Sequence, residues 1–288
     1  MSRILKHLSY STRVLLGRVT AGRGVTILPG DRFLVSYPRS GSTWTRFLVG
    51  NLLSINEPIT FANIESRLPS IYICTDRQLR RVARPRLLTS HEAFDPVYKT
   101  TIYVVRDPRD VAVSFYHYAI KNRHIPDDYP MDKFVSRYVA AEVGPLYDRW
   151  GSWADHVMSW VAMRQGHNGF LLLRYEDMVE APERELAKVA ALLKLDITPE
   201  RLSRAVELSS ADRMRRLEKE QHGVWTQTSN TRADKPFVRA AASGGWREAL
   251  SSAAVAEIEQ TWGAAMQSFG YTLSKDLQLG QHVIRAGT

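Results

Sequence analysis

Residues Tyr37-Pro38-Arg39-Ser40-Gly41-Ser42-Thr43-Trp44 bring a cation, hydroxyls, a glycine and a flat aromatic together within one short stretch. They follow the apolar run Phe33-Leu34-Val35 and lead into Thr45-Arg46-Phe47-Leu48-Val49-Gly50-Asn51-Leu52-Leu53. That order predicts strand, tight loop and amphipathic helix. A glycine loop opening a helix turns several backbone N–H groups toward one point, where the helix dipole favours an anion. With Arg39 and the hydroxyls of Ser40, Ser42 and Thr43 alongside, the stretch suits a nucleotide phosphate.

A second anion candidate lies at Val104-Val105-Arg106-Asp107-Pro108-Arg109-Asp110-Val111-Ala112-Val113-Ser114. Asp107 reads as an N-cap and Pro108 as the first helical residue. Ser114 falls about two turns into that helix, on the face Arg106 can share. An arginine with a hydroxyl suits a phosphate monoester. The competing reading is an Arg–Asp ion pair at the helix start, and taken alone this segment favours the ion pair.

Four short apolar runs read as strands that must position these groups: Phe33 to Tyr37, Arg86 to Ser90, Thr101 to Val105 and Phe170 to Arg174. Segments of helical period lie between them, including Val111 to Lys121 and Asp155 to Arg164. Strands alternating with helices predict an α/β fold, a central, mostly parallel sheet flanked by helices. Ligands of such sheets sit beyond the carboxyl ends of the strands. Arg39, His91, Arg106 and Tyr175 each follow directly on one of the runs, so the fold would gather them at one edge.

At 288 residues with 44% hydrophobic content the chain can bury a sizeable core, and no composition break demands a second domain. Residues 25–275 read as the domain, with a basic arm at 1–24 and a tail at 276–288. Val25-Thr26-Ile27-Leu28 is expected to be the domain's first strand or turn. Residues 1–30 hold five Lys or Arg and no acid. Their loose amphipathic pattern fits weak contact with a membrane surface. A helix or arm packed on the body is the favoured reading. No stretch is apolar enough to span a bilayer. The lone Cys74 points to a reducing, cytoplasmic compartment and has no Cys or His at ligand spacing. His117, His124 and His167 form no coherent set either, so no metal is expected.

The net charge of +9 suits an anionic ligand, and a basic surface explains it equally well. Nothing resembles a nucleic-acid-binding motif. Residues 218–245 are polar, aperiodic and end in Ser243-Gly244-Gly245, the pattern of a long functional loop. Trp150, Trp153, Trp160 and Trp262 sit at helical spacings and read as core. The glycine loop lacks the Gly-x-x-x-x-Gly-Lys spacing of a Walker A motif, and no clear Walker B carboxylate follows a strand, so bound magnesium is not implied.

The loop at residues 37–44 resembles the 5′-phosphosulfate loop of sulfotransferases that use 3′-phosphoadenosine 5′-phosphosulfate, the cytosolic-type and bacterial members in particular. Val105 to Tyr118 resembles that family's 3′-phosphate segment. Further stretches fit in order: Gly151-Ser152-Trp153 with His156-Val157 and Ser159-Trp160; Leu173 to Met178; and Val238-Arg239 leading to Gly244-Gly245-Trp246-Arg247. The likeness runs from about Val25 to Tyr271.

The resemblance implies a P-loop-like donor site. Arg39 stands where the family usually has a lysine on the 5′-phosphate and bridging oxygen. Ser40, Gly41, Ser42, Thr43 and Trp44 would wrap the 5′ end. Arg106, Ser114 and Arg239 would hold the 3′-phosphate. Tyr175 and the stretch beginning at Ser209 would line the adenine side. His91 falls at the catalytic base, with Glu92 as the fallback. The product would be 3′-phosphoadenosine 5′-phosphate, and the acceptor a small-molecule or glycan hydroxyl, or an amine. Loops around residues 61–85, 115–130 and 218–235 are expected to form its pocket.

The chain departs from the family pattern at Ala240-Ala241, Thr89 and Ala211, which stand in place of Lys-Gly, a lysine and an aromatic. Arg213 or Arg232 is the expected substitute support for the donor. Two other functions remain open on the sequence: a P-loop kinase or other phosphoryl transferase, and a nucleotide-binding protein with impaired catalysis.

Overall fold

The computed structural model describes residues 19–54, 56–143, 150–239 and 242–274. Most of the basic N-terminal arm, the C-terminal tail and Ala240-Ala241 lie outside the described residues. The four expected strands form, with small shifts of their ends: β1 (Arg32–Ser36), β2 (Leu87–Ser90), β3 (Thr100–Val105) and β4 (Phe170–Arg174). They make one sheet in the order β2-β1-β3-β4, and every neighbouring pair is parallel. Val35 pairs with Ser90 on one side and with Tyr103 on the other. Val25–Leu28 is not a strand; the backbone turns after it, with the Asp31 amide donating to the Leu28 carbonyl.

Helices longer than one turn are α1 (Ser42–Leu53), α2 (Pro108–Lys121), α3 (Met131–Val139), α4 (Trp153–Arg164), α5 (Tyr175–Glu180), α6 (Pro182–Leu193), α7 (Pro199–Glu207), α8 (Ala211–Glu220) and α9 (Ser252–Ser268). The strands alternate sides with period two. Phe33, Val35, Tyr103 and Val105 face a core built with α2, α3, α4 and α9. Leu34, Ile102 and Val104 face a second core built with α1, α6, α7 and α8. Covering both faces is what a parallel sheet requires. Each of these fully buried side chains contributes roughly 1.5–3 kcal/mol before the entropy of ordering is charged against it.

The helices after β1 and β3 therefore lie on opposite faces. A crevice opens at the strand ends where neighbouring connections diverge in this way. Asp107 caps α2 through its side chain and Pro108 opens it, as the sequence predicts. Trp153, Trp160 and Trp262 are core residues, again as expected.

One buried ion pair ties the turn before β1 to the start of β2. Arg86 Nε donates to Asp31 Oδ1 at 2.8 Å, and its Nη2 donates to Asp31 Oδ2 and, at 2.7 Å, to the Thr26 carbonyl. Removing one partner strands the other charge in the interior. Arg86→Leu is expected to destabilise the fold by about 3–5 kcal/mol in urea titration; a loss under 1 kcal/mol would show that the pair contributes little.

Candidate active site

The carboxyl ends of all four strands surround one cavity of about 790 Å³. Of the residues singled out by sequence, Arg39, Gly41, Ser42, Thr43, Trp44, His91, Arg106, Ser114, Tyr175 and Arg239 line it. Ser40 and Ser209 do not. Ser40 is buried, and its hydroxyl has no hydrogen-bond partner. The Ser209 hydroxyl is spent inside the fold, accepting from Asn51 and donating to the Ala205 carbonyl. The Ser209 carbonyl accepts the Trp44 indole N–H at 3.0 Å, so this residue sets the aromatic that faces the cavity.

The β1–α1 loop is held in an uncommon shape. Arg39 has φ 68° and Gly41 φ 96°, both left-handed. A β-carbon at Gly41 would lie 2.5 Å from the Tyr175 ring, so this glycine is required by conformation and by space together. The amides of Gly41, Ser42, Thr43 and Trp44 make no hydrogen bond among the described residues and open α1 toward the cavity. That is an anion cradle of backbone donors.

Three guanidinium groups join it. Arg39 Nε donates to Ser114 Oγ at 3.3 Å, and its head lies 4.5 Å from the Tyr118 ring centre. Arg106 packs 4.2 Å over the Tyr175 ring and donates to the Ala242 carbonyl, while its Nε is buried without a partner. Arg239 is held down to about 10, first by burial and then by the charges of Arg39 and Arg106, with Asp110 opposing. The Asp110 carboxylate is committed elsewhere, accepting from the amides of Gly244 and Trp246. The Arg–Asp ion pair expected at the helix start does form, between Asp107 and Arg109, and it leaves Arg106 outside it.

His91 is fixed at three points. Its N–H donates to the Tyr72 hydroxyl at 2.9 Å, its carbonyl accepts from His156 Nε2 at 2.9 Å, and its Nδ1 lies 2.8 Å from the Ser36 carbonyl. A carbonyl can only accept, so Nδ1 carries the proton and Nε2 keeps its lone pair. Burial pushes the imidazole down to about 4, against the Ser36 hydrogen bond and with help from the Arg46 and Arg39 charges; Glu92 opposes. The ring is thus neutral near pH 7.

Several residues depart from the sequence reading. Glu92, the fallback base, is 2% exposed and does not line the cavity; it binds Arg23 and Tyr72. Arg213 and Arg232 do not line the cavity either, and Arg232 pairs with Asp127 and Asp234. Arg46 does line it. Buried in α1, Arg46 donates to the Leu68 carbonyl and to Glu65 at 2.8 Å. An arginine inside an apolar helical run was the signal that could have found it. Trp150 belongs to the buried core as expected, and it also lines the cavity and meets His91 edge-on at 5.6 Å.

The long polar segment is a strap beyond α8. Lys121 Nζ donates to the carbonyls of Arg232 and Lys235, and Glu218 accepts the amides of Phe237 and Val238. These bonds press Phe237 to 5.1 Å from the Arg39 head and set Thr226 and Gln227 in the cavity wall. The three regions expected to form the acceptor pocket all contribute, with Tyr72, Tyr118 and Gln227 among the lining residues. Among the described residues no His, Cys, Asp and Glu cluster could hold a metal ion, and no helix is long and apolar enough to cross a membrane.

Sulfotransferase 1B1 of Mus musculus is 26% identical over 266 residues, covering 87% of each chain. Cytosolic sulfotransferase 12 of Arabidopsis thaliana is 27% identical over 279 residues, covering 88% of this chain and 82% of that protein. The fold is shared with a mouse sulfotransferase, SULT7A1, solved with PAP: TM-score 0.66, 22% identity, 85% of this chain and 87% of the other. It is also shared with a retinol dehydratase solved with androsterone and PAP, at TM-score 0.71 and 18% identity over 85% of this chain and 83% of the other. Residues 29–270 match the model of the sulfotransferase domain, a span that takes in all four strands and the whole cavity edge, and the chain belongs to the sulfotransferase family.

Proposed function

We propose that the cavity takes 3′-phosphoadenosine 5′-phosphosulfate with its 5′ end on the β1–α1 loop and its 3′-phosphate among Arg106, Ser114 and Arg239. His91 then takes the proton of an acceptor hydroxyl. The observation that carries this reading is the convergence of an open amide cradle and three guanidinium groups on one cavity beside a neutral imidazole. A nucleotide anionic at both its 3′ and 5′ ends would relieve the repulsion that Arg39 and Arg106 impose on Arg239. Tyr175 packs against the Arg106 head, and Trp44 meets Tyr175 edge-on at 5.6 Å, an aromatic corner suited to the adenine.

In-line transfer forms a bond from the acceptor oxygen to sulfur and breaks the bond from sulfur to the bridging oxygen. The electron pair leaves on the 5′-phosphate, and the acceptor proton goes to His91 Nε2. Arg39 and the loop amides meet the charge that gathers on the departing oxygen. A guanidinium does not give up its proton, so Arg39 acts by charge alone. A base held near 4 is a weak proton sink, but the acceptor hydroxyl grows acidic as its oxygen bonds to sulfur, so the transfer runs late with that bond. The imidazolium formed is stabilised by the Ser36 carbonyl.

Tyr72, Ile73, Trp150 and Phe237 give the cavity apolar and aromatic walls near the base. Walls of this kind favour a small apolar hydroxyl compound over a glycan. The androsterone- and retinol-bound structures of the similar retinol dehydratase point to the same class of acceptor.

Arg106→Ala is expected to weaken 3′-phosphoadenosine 5′-phosphate by about 10- to 100-fold while changing adenosine 5′-phosphate little, as for loss of a charged hydrogen bond. Calorimetric titration of both nucleotides checks it; equal losses would remove the 3′-phosphate assignment. His91→Ala is expected to lower turnover by roughly 10²–10⁴ with nucleotide affinity retained. The same base fixes the pH profile. Because its folded value of about 4 lies below the ordinary one, the neutral form dominates above it, and turnover should stay level down to pH 5 and fall as pH drops through 4. Stability falls over a neighbouring range for a separate reason: from pH 6.5 down to about 4 the unfolded imidazole binds a proton that the folded one does not, so initial rates and folded fraction are measured together. A histidine variant with near-normal turnover, or a rate that declines already at pH 7, would contradict the assignment.

A further inference from the structure

His91 is held by a chain of contacts that starts outside the cavity. Its backbone N–H donates to the Tyr72 hydroxyl, and that hydroxyl donates to Glu92 Oε1 at 3.0 Å. The other carboxylate oxygen accepts from Arg23 Nε at 2.5 Å. The phenol has one proton. With that proton committed to a carboxylate, the oxygen must present a lone pair to the His91 amide. Glu92 therefore sets the direction of the Tyr72 hydroxyl. The Tyr72 ring also lies parallel to the imidazole, 5.7 Å away with planes 2° apart, and Trp150 closes on both rings edge-on.

The far end of the chain is fastened as well. The Ala21 amide donates to the Cys74 carbonyl and the Gly22 amide to the Ile71 carbonyl, so the segment carrying Arg23 is sewn to the turn carrying Tyr72. Glu92 is held from behind, its amide on Ser90 Oγ and its carbonyl on the Trp160 indole. Arg23 is 70% exposed and Glu92 only 3%, so a surface cation meets the buried carboxylate behind the base.

We propose that Glu92 is a positioning residue for His91, acting through the Tyr72 hydroxyl, and that Arg23 latches it from the surface. The inference rests on His91 as the base. Glu92 does not line the cavity; it aims the hydroxyl that holds the histidine backbone and the ring that walls the imidazole. In Glu92→Gln the amide can donate to the phenol, and the direction of the chain is lost.

The test is a double-mutant cycle on the full chain with Glu92→Gln, Tyr72→Phe and both together. Each single variant is expected to lose about tenfold in kcat, and the double no more than either alone, because they break one chain. The KM for donor and the affinity for 3′-phosphoadenosine 5′-phosphate should stay within about twofold, which a general loss of structure would not allow. Arg23→Ala should show part of the loss and Arg23→Lys restore it. Proton–nitrogen-15 spectra give a readout that needs no acceptor: the His91 backbone amide, which donates to Tyr72, is expected to shift in Glu92→Gln, while the imidazole stays protonated on Nδ1 because the Ser36 carbonyl holds it. A Glu92→Gln protein with unchanged kcat and an unchanged His91 amide signal overturns the proposal, as do losses that multiply to about a hundredfold in the double variant. If the parent protein transfers nothing, the spectra alone decide the positioning role. If His91 proves dispensable while its amide still answers to Glu92, the function reading fails and the positioning stands. Should Glu92→Gln not fold, Tyr72→Phe, which keeps the ring, carries the same comparison of kcat and spectrum.

Discussion

Like charges held together are the constraint on this site: burial and the charges of Arg39 and Arg106 all weigh against the cation of Arg239. The three face one cavity, and Asp110, a carboxylate that also lines it, has both oxygens occupied by backbone amides. Gathering like charges in a half-buried space is costly, because each raises the electrostatic energy of the others. Here the arrangement is sustained by rigid supports: the parallel sheet fixes the loops, Tyr175 braces Arg106, and Tyr118 and Phe237 sandwich Arg39. A polyanion entering the cavity would offset that repulsion.

Charge acts on His91 as well. Arg46, which is committed to Leu68 and Glu65, and Arg39, which would hold the donor, add to burial in keeping the imidazole neutral. The Ser36 carbonyl comes from the last residue of β1, and His91 follows β2 directly. The β1–α1 loop and His91 are thus tied to neighbouring strands, and their separation is set by strand pairing. Preorganisation of this kind removes reorganisation from the reaction itself.

Much of this was legible in the sequence because parallel strands deliver whatever follows them to one edge. Four short apolar runs were enough to bring Arg39, His91, Arg106 and Tyr175 together, and the glycine at 41 marked the cradle. What stayed hidden depends on side-chain direction across long sequence distances. Ser209 carries a motif position, yet its hydroxyl turns inward to Asn51 and Ala205. Glu92, the fallback base beside the histidine, is buried behind it and off the cavity. Arg46 is masked by apolar neighbours, and Trp150 follows a helical spacing that says core while its edge meets the base. Periodicity tells which face of an element is buried; it does not tell which buried side chain borders a cavity.

The central claim is that one cavity at the sheet edge grips both phosphate ends of a single nucleotide. A crystal structure with 3′-phosphoadenosine 5′-phosphate bound tests it most directly. The account predicts the 5′-phosphate within about 2.7–3.2 Å of the Gly41–Trp44 amides, the 3′-phosphate at similar distances from Arg106 and Ser114, and the 5′-phosphate on the side of the cavity that His91 faces. A nucleotide bound in the reverse direction, or at a site away from the β1 and β3 ends, would contradict it.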